Sequence, residues 1–189
     1  MKIMNDKNQM IVTAATNMFA RYGYSKTTMG DIASEAGVAR QTVYNAFPGK
    51  EEILRAVVRQ AGEDTYVSVL DAWANAESVD EKLAAFHTHG PLKWFEAIRA
   101  APDWAELMDG MHKAASEEMS AFDLKWRNAL AEMLRADAPE CADAARKNDE
   151  IIDFFYASSL NAKYGVQDIT HLRSRLKTIK VATLALLKQ

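Results

Sequence analysis

Apolar residues recur at spacings of three and four along nearly the whole chain, and this period is typical of helices. The first such stripe places apolar residues at i, i+4, i+7, i+8 and i+11: Ile11, Ala15, Met18, Phe19 and Tyr22. Only four prolines and eight glycines interrupt the 189 residues. No alternating strand pattern, internal repeat or low-complexity tract accompanies them. The sequence therefore predicts an all-α protein with about nine helices.

Glycine, proline and capping residues set the expected helix boundaries. The predicted helices are about 6–22, 29–36, 40–47, 50–75, 79–100, 102–109, 111–136, 149–163 and 167–188. Thr28 is a good N-cap for the second helix, and Asp31 three residues later completes a variant of the capping box. Pro91 should kink the helix over 79–100.

Composition excludes several classes of protein. The single Cys141 leaves no intrachain disulfide and no metal site built on several cysteines, and it fits a reducing cytoplasm. The polar start has no signal-peptide core, and the longest aliphatic run, VATLALL, is too short to cross a bilayer. We expect a cytoplasmic protein that does not contact a membrane.

Catalytic motifs are missing as well. The sequence has no Gly-rich phosphate loop, no nucleophile elbow and no helical H-E-x-x-H pattern. We therefore expect no enzymatic activity, no cofactor and no metal. Residues 1–60 carry eight Lys and Arg against five Asp and Glu, although the whole chain has a net charge of −3. A basic N-terminal segment is compatible with a polyanionic partner at that end.

The segment GVARQTVYNAF, residues 37–47, combines an apolar and an unusual polar helix face. Its apolar face is expected to contain Ala39, Val43 and Phe47. The opposite face carries a guanidinium, a carboxamide, a phenol and a second carboxamide: Arg40, Gln41, Tyr44 and Asn45.

The order helix, short helix, Gly-containing turn, short helix is that of a helix-turn-helix, whose last helix enters the DNA major groove. Arg40 can offer a bidentate donor to guanine, and the Gln41 amide can do the same for adenine. Tyr44 and Asn45 can donate to phosphate, which fixes register. Thr28 and Lys50 stand at helix N-termini, where a phosphate could bind. A solvated polar face, a simple cap and a solvated charge remain alternative explanations.

Residues 11–54 also resemble the DNA-binding domain of the TetR family of bacterial transcriptional regulators. The resemblance rests on these elements at fixed spacing: Ala14-Ala15, Phe19, Gly23-Tyr24, Thr27-Thr28, Ile32-Ala33, Ala36-Gly37-Val38, Thr42, Tyr44, Phe47 and Lys50-Glu51. It covers about a quarter of the chain. It implies an N-terminal three-helix DNA-binding domain, 1–50, and a helical ligand-binding and dimerisation domain, 51–189.

The resemblance also implies roles for individual residues. Arg40 and Gln41 occupy variable positions that commonly reach bases, and Thr42 and Tyr44 match positions that touch phosphate or base edges. Thr28 and Lys50 match positions that anchor the DNA backbone. The sequence departs from the family pattern at two places. Ala39 replaces a common Ser, so the reading helix lacks a side-chain cap. Asn45-Ala46 replaces a frequent aromatic or His pair, and Ala46 cannot donate to phosphate.

The last two predicted helices carry apolar stripes of their own. In the final helix the stripe is Ile169, Leu172, Leu176, Ile179, Thr183 and Leu186, with spacings of three and four as in a bundle seam. The preceding helix offers Ile152, Phe155, Ser159 and Ala162. From periodicity alone, these stripes either close the core of one chain or form a four-helix interface with a second copy. The family resemblance favours a homodimer through the last two helices.

The middle of the chain is rich in aromatic residues and methionine. One stripe places His87 and Trp94 on the inward face of a helix, and a second contains His112 and Trp126. Phe155 could form a third wall. A mostly apolar pocket with a few polar groups is typical of small-molecule sites, although such stripes are also typical of ordinary core.

Together these patterns favour a homodimeric, ligand-responsive repressor that binds a palindromic DNA operator and a small-molecule effector. One alternative is a helical small-molecule-binding protein whose DNA-binding head has decayed. Another is a regulator controlled by a protein partner through a fully packed C-terminal domain.

Overall fold

The structure, a computed structural model, describes residues 6–100, 110–111, 113–137 and 145–188. In these ranges all regular structure is helical, which confirms the predicted fold class. The elements are α1 (Asp6–Tyr22), α2 (Met29–Glu35), α3 (Arg40–Ala46), α4 (Lys50–Ala74), α5 (Val79–His87), a π-helical turn (Thr88–Leu92), α6 (Lys93–Ala100), α7 (Ser116–Asp137), α8 (Ala145–Asn161) and α9 (Ile169–Leu187).

The π-helical turn accommodates Pro91 within the helical path. Proline has no N–H to donate and its ring would clash with the carbonyl oxygen four residues earlier, that of His87. The wider π turn accepts the proline without ending the helical path, so α5, the turn and α6 follow one another without a gap. The sequence predicted the disturbance correctly but described it as a kink.

Other helix boundaries differ more from those that the sequence predicted. Helical residues 110–111 and 113–114 are separated from α7 by a bend at Ala115, so the predicted helix over 111–136 is interrupted. Main-chain bonds from Ala115 N to Met111 O and from Met119 N to Ala115 O are nevertheless kept. Helix α8 begins four residues earlier than predicted. The predicted helix over 102–109 lies outside the described residues.

The chain divides into two compact units, the first made of Met1–Glu63 with Ala97–Ser120 and the second of Asp64–Glu96 with Ala121–Gln189. The domain boundary predicted near residue 50 remains a prediction. In the first unit, described core residues from α1 to α4 include Ile11, Phe19, Ile32, Val43 and Ile53. The second unit has a core rich in aromatic residues, including Trp73, Phe86, Trp126, Phe155 and Tyr156.

The apolar stripe of α9 packs inside the single chain. Leu172 and Leu176 are buried with Leu92 and Ala162 in one cluster of the second unit, and Thr183 is buried as well. Of the two explanations that periodicity left open, the intrachain core therefore accounts for these residues. In the part of the chain that the structure describes, no helix is long and apolar enough to cross a membrane.

Candidate nucleic-acid interface

The N-terminus of α2 is built by a capping box, as predicted. The Thr28 hydroxyl accepts from the main-chain N–H of Asp31 at 3.2 Å, and the Asp31 carboxylate accepts from the Thr28 N–H at 2.9 Å. The hydroxyl also donates to the same carboxylate at 2.7 Å. These bonds from Thr28 favour the ionised carboxylate and lower the pKa of Asp31. Thr28 itself is exposed, so its capped turn can be approached from solvent.

Gly37 makes the turn between α2 and α3. Its φ of +65° lies in the left-handed region that side chains disfavour, and the Val38 N–H closes the turn on the carbonyl oxygen of Ala33 at 3.0 Å. Helix α3 then begins without a side-chain cap, since Ala39 has none to offer. Val43 and Phe47 anchor α3 in the core, whereas Ala39, expected on the same face, is exposed.

The opposite face of α3 presents four polar side chains to solvent: Arg40, Gln41, Tyr44 and Asn45. Nη2 of Arg40 donates to the Tyr44 hydroxyl at 3.3 Å, and the guanidinium carbon lies 5.5 Å from the ring centroid. The bond from Tyr44 raises the pKa of Arg40, a side chain that is cationic in proteins with or without such a bond. Nε2 of Gln41 donates to Oδ1 of Asn45 at 2.8 Å. Thr42 is partly buried.

Lys50 is the first residue of α4, where the helix dipole disfavours a cation. Its ammonium group turns instead to main-chain carbonyl oxygens of the preceding loop, those of Tyr24 at 2.7 Å, Ser25 at 3.3 Å and Thr27 at 3.0 Å. It also lies 4.3 Å from the centroid of the Tyr24 ring. The sequence assigned Lys50 to phosphate and did not predict this contact, because residues 23 to 26 positions apart are brought together only by the fold.

Three of the predicted ligand residues, His87, Trp126 and Phe155, meet in one aromatic cluster of the second unit. Trp126 and Phe155 pack against Phe86, with ring centroids 5.0 and 5.4 Å apart. His87 stacks on Phe155 at 5.0 Å. Trp94 is partly buried and its indole N–H donates to the Thr65 hydroxyl at 3.2 Å. His112 lies outside the described residues.

His87 is the buried polar member of this aromatic cluster. Its Nε2 lies 2.8 Å from the hydroxyl of Ser159, which is fully buried. Burial disfavours the imidazolium ion, and the positive charge of Lys180 adds to the effect, so the pKa of His87 falls to about 4. His87 is therefore neutral near pH 7. Among the described residues, no group of three or more His, Cys, Asp and Glu side chains is placed to hold a metal ion.

Residues 11–57, which contain the whole capped turn and α3, match the sequence model of the bacterial regulatory proteins of the tetR family. This N-terminal segment is therefore of the tetR type. The members of that family are regulatory proteins and not enzymes.

Individual relatives agree with this match. The chain is 35% identical over 82 residues to the uncharacterized HTH-type transcriptional regulator YfiR of Bacillus subtilis, covering 43% of this chain and 40% of YfiR. It is 28% identical over 136 residues to the HTH-type transcriptional regulator RutR of Escherichia coli, covering 66% of this chain and 64% of RutR. The chain thus spans less than two thirds of the length of these relatives.

A likeness of fold to a solved structure extends over nearly the whole chain. A transcriptional regulator from Cytophaga hutchinsonii superimposes with a TM-score of 0.72, covering 97% of this chain and 98% of the other, at 18% identity. At that identity the likeness concerns the fold.

Proposed function

We propose that the protein is a cytoplasmic transcriptional repressor that binds a palindromic DNA operator as a homodimer and responds to a small-molecule effector. One observation carries the DNA-binding part: α3 buries Val43 and directs Arg40, Gln41, Tyr44 and Asn45 to solvent. A short helix with this exposed polar face is suited to the major groove. The exposure also argues against a decayed DNA-binding head.

The chemistry of each side chain suggests its role on DNA. Arg40 can form a bidentate contact with guanine, and Gln41 can form one with adenine. Thr28, Thr42 and Lys50 are suited to the sugar-phosphate backbone, where contacts set register without reading sequence. Tyr44 and Asn45 can also donate to phosphate, which makes them candidates for this second group.

Dimerisation would use the outward faces of the last two helices. The stripe containing Leu176 is occupied inside the chain, but large apolar side chains remain exposed nearby in sequence. Phe154 and Leu160 of α8 are 38% and 39% exposed, and Val181 of α9 is 56% exposed. Because α8 and α9 pack on each other, a second copy covering them would form a four-helix interface. Such a dimer would space two reading helices about one turn of DNA apart, roughly 34 Å.

The effector would bind in the second unit. A mostly aromatic surrounding with a buried polar pair, here His87 and Ser159, is typical of a small-molecule site. Trp94, Trp126 and Phe155 are the further candidates that the structure describes in this unit. Helix α4 contributes residues to both units, so it offers a continuous covalent connection through which ligand binding could bias the reading heads. Such coupling requires different effector affinities in the two states.

The test is fluorescence anisotropy with DNA from the promoter region of the protein's own gene. Wild-type protein should bind this DNA more tightly than random DNA of equal length. Arg40→Ala should lose about 5- to 150-fold in affinity for the operator and much less for random DNA. Equal losses on both DNAs would exclude base reading by Arg40. Equal wild-type affinity for both DNAs would exclude the proposed function.

A thermal-shift screen with small molecules tests effector binding separately. Stabilisation by a compound, lost in Ser159→Ala, would support a site at the His87 pair. A protein partner as the controlling signal would be indicated by a packed second unit that no compound stabilises.

A further inference from the structure

The four exposed side chains of α3 are organised as two pairs. Each pair joins residues four positions apart, which are neighbours on a helix surface. Arg40 bonds to Tyr44 at 3.3 Å, and Gln41 bonds to Asn45 at 2.8 Å. In each pair the residue assigned to bases is held by one assigned to the DNA backbone.

The pairing leaves the base-reading atoms usable. A guanidinium has five N–H groups, and Arg40 donates one of them to the Tyr44 hydroxyl. A bidentate contact with guanine O6 and N7 needs two. A glutamine amide has two N–H groups and an acceptor oxygen, and Gln41 donates one N–H to Asn45. The remaining N–H and the oxygen are what adenine N7 and N6 require.

We infer that Tyr44 and Asn45 are positioning residues for sequence readout, Tyr44 acting through Arg40 and Asn45 through Gln41. This inference rests on the proposed DNA-binding function and changes the role given to two of its residues. Tyr44 holds the guanidinium both by its hydroxyl and by its ring. Asn45 fixes the amide of Gln41 through a single oxygen, Oδ1.

The physical gain is conformational. Long side chains such as Arg and Gln lose much rotamer freedom when they bind. A side chain already held on the free helix loses less of it on DNA, and an amide held in one orientation presents its donor and acceptor in a defined order. Pairing should therefore increase discrimination between bases more than it increases affinity for DNA in general.

The experiment uses the full chain and an operator selected by wild-type protein from random duplexes. Arg40→Ala and Gln41→Ala first identify the base-pair position that each residue reads. Dissociation constants are then measured for single-base variants at those two positions, with Tyr44→Phe and Asn45→Ala, over a range of salt concentrations. Tyr44→Phe removes only the hydroxyl and keeps the ring. Circular dichroism and melting temperature verify that each variant is folded.

The two pairs serve as controls for each other. Asn45→Ala should reduce discrimination between bases about two- to tenfold at the base pair read by Gln41 and leave it unchanged at the base pair read by Arg40. Tyr44→Phe should reduce discrimination at the Arg40 base pair and leave the Gln41 base pair unchanged. The salt dependence should stay as in wild type, because no phosphate contact is lost. Asn45→Asp keeps an acceptor for Gln41; it should lower all affinities by charge repulsion yet restore discrimination at the Gln41 position.

Other results would overturn the inference. Equal losses on operator and random DNA, with a salt slope lower by about one, would make Asn45 or Tyr44 a phosphate contact. Unchanged affinity and discrimination would make the pairs irrelevant to binding. If the wild-type selection enriches no sequence, the proposed function itself fails, which is a different result from specific binding with uniform losses.

Discussion

The ammonium group of Lys50 lies 2.7 Å from the carbonyl oxygen of Tyr24 and 4.3 Å from the centroid of the tyrosine ring. The ring in turn packs edge-on against Phe19 in the core, with centroids 5.2 Å apart. One charge therefore fixes the loop that leads into the capped N-terminus of α2. Lys50 should act on folding as well as on DNA.

Lys50→Met should lower the free energy of unfolding by about 1–3 kcal/mol, because carbonyl oxygens lose a charged donor. It should also weaken binding to all DNA and reduce the salt slope by about one. Urea denaturation without DNA and anisotropy at several salt concentrations measure the two effects. The control Lys26→Met changes an exposed lysine of the same loop and should alter stability by less than about 0.5 kcal/mol. Unchanged stability in Lys50→Met would contradict the loop-holding role.

Thr28→Ala should destabilise the protein by about 0.5–2 kcal/mol, since α2 loses its N-cap and Asp31 loses a hydrogen-bond donor. Thr28→Ser keeps the hydroxyl and should retain most of the stability. Both are measured by chemical denaturation in the absence of DNA. Equal stability of the Ala and Ser variants would show that the capping bonds contribute nothing measurable.

His87 should make stability depend on pH. Its folded pKa of about 4 lies below the ordinary 6.5, so the unfolded chain binds the proton first as pH falls. The contribution of the neutral imidazole to stability is complete above about pH 6.5 and is lost progressively between pH 6.5 and 4. At pH 4.5 the free energy of unfolding should be lower by about 2–3 kcal/mol. His87→Gln should remove this part of the pH dependence. The comparison is made by urea denaturation at pH 7 and pH 4.5.

The matched control is His89→Gln, which changes a histidine two residues away that is only partly buried. It should keep the wild-type difference between the two pH values. If His87→Gln shows the same difference as wild type, the buried imidazole is not the source of the effect.

Val181→Asp should produce folded monomers, because it places a charge on the outward face of α9 proposed for dimerisation. Light scattering should give a mass near the 21.1 kDa of one chain, with an unchanged circular dichroism spectrum. Leu124→Asp changes an exposed leucine outside the last two helices and should stay dimeric. A dimeric Val181→Asp protein would exclude this part of α9 from the interface.

Leu176→Asp should behave differently from Val181→Asp. Leu176 is 2% exposed within the second unit, so a carboxylate there loses packing and hydration together. We expect a loss of more than about 4 kcal/mol and an unfolded or aggregated chain. A well-folded monomer would instead mean that Leu176 belongs to the dimer interface.

Local features were predictable from sequence because local chemistry determines them. Thr28 and Asp31 are three residues apart, and the helix geometry alone brings them into the capping box. The exposed face of α3 likewise followed from its period. Pro91 predicted a distortion of its helix, but whether a helix kinks or widens into a π turn depends on its packing.

Non-local features were not predictable in the same way. The stripe through Leu172 and Leu176 has the same spacing in a core and in an interface, so only the folded chain could assign it. Ser159 meets His87 across 72 residues, and Lys50 meets Tyr24 across 26. The spacing of residues along the chain does not predict such contacts, because they form only when the helices pack together.

The most direct test of the central claim is selection of DNA by the wild-type chain from a random pool of duplexes. The account predicts enrichment of one sequence with two-fold symmetry and half-site centres about 10 base pairs, or a multiple of one turn, apart. Arg40→Ala should lose the preference at one position in each half-site. A pool that remains random, or an enriched sequence without symmetry, would contradict a dimeric operator-binding regulator.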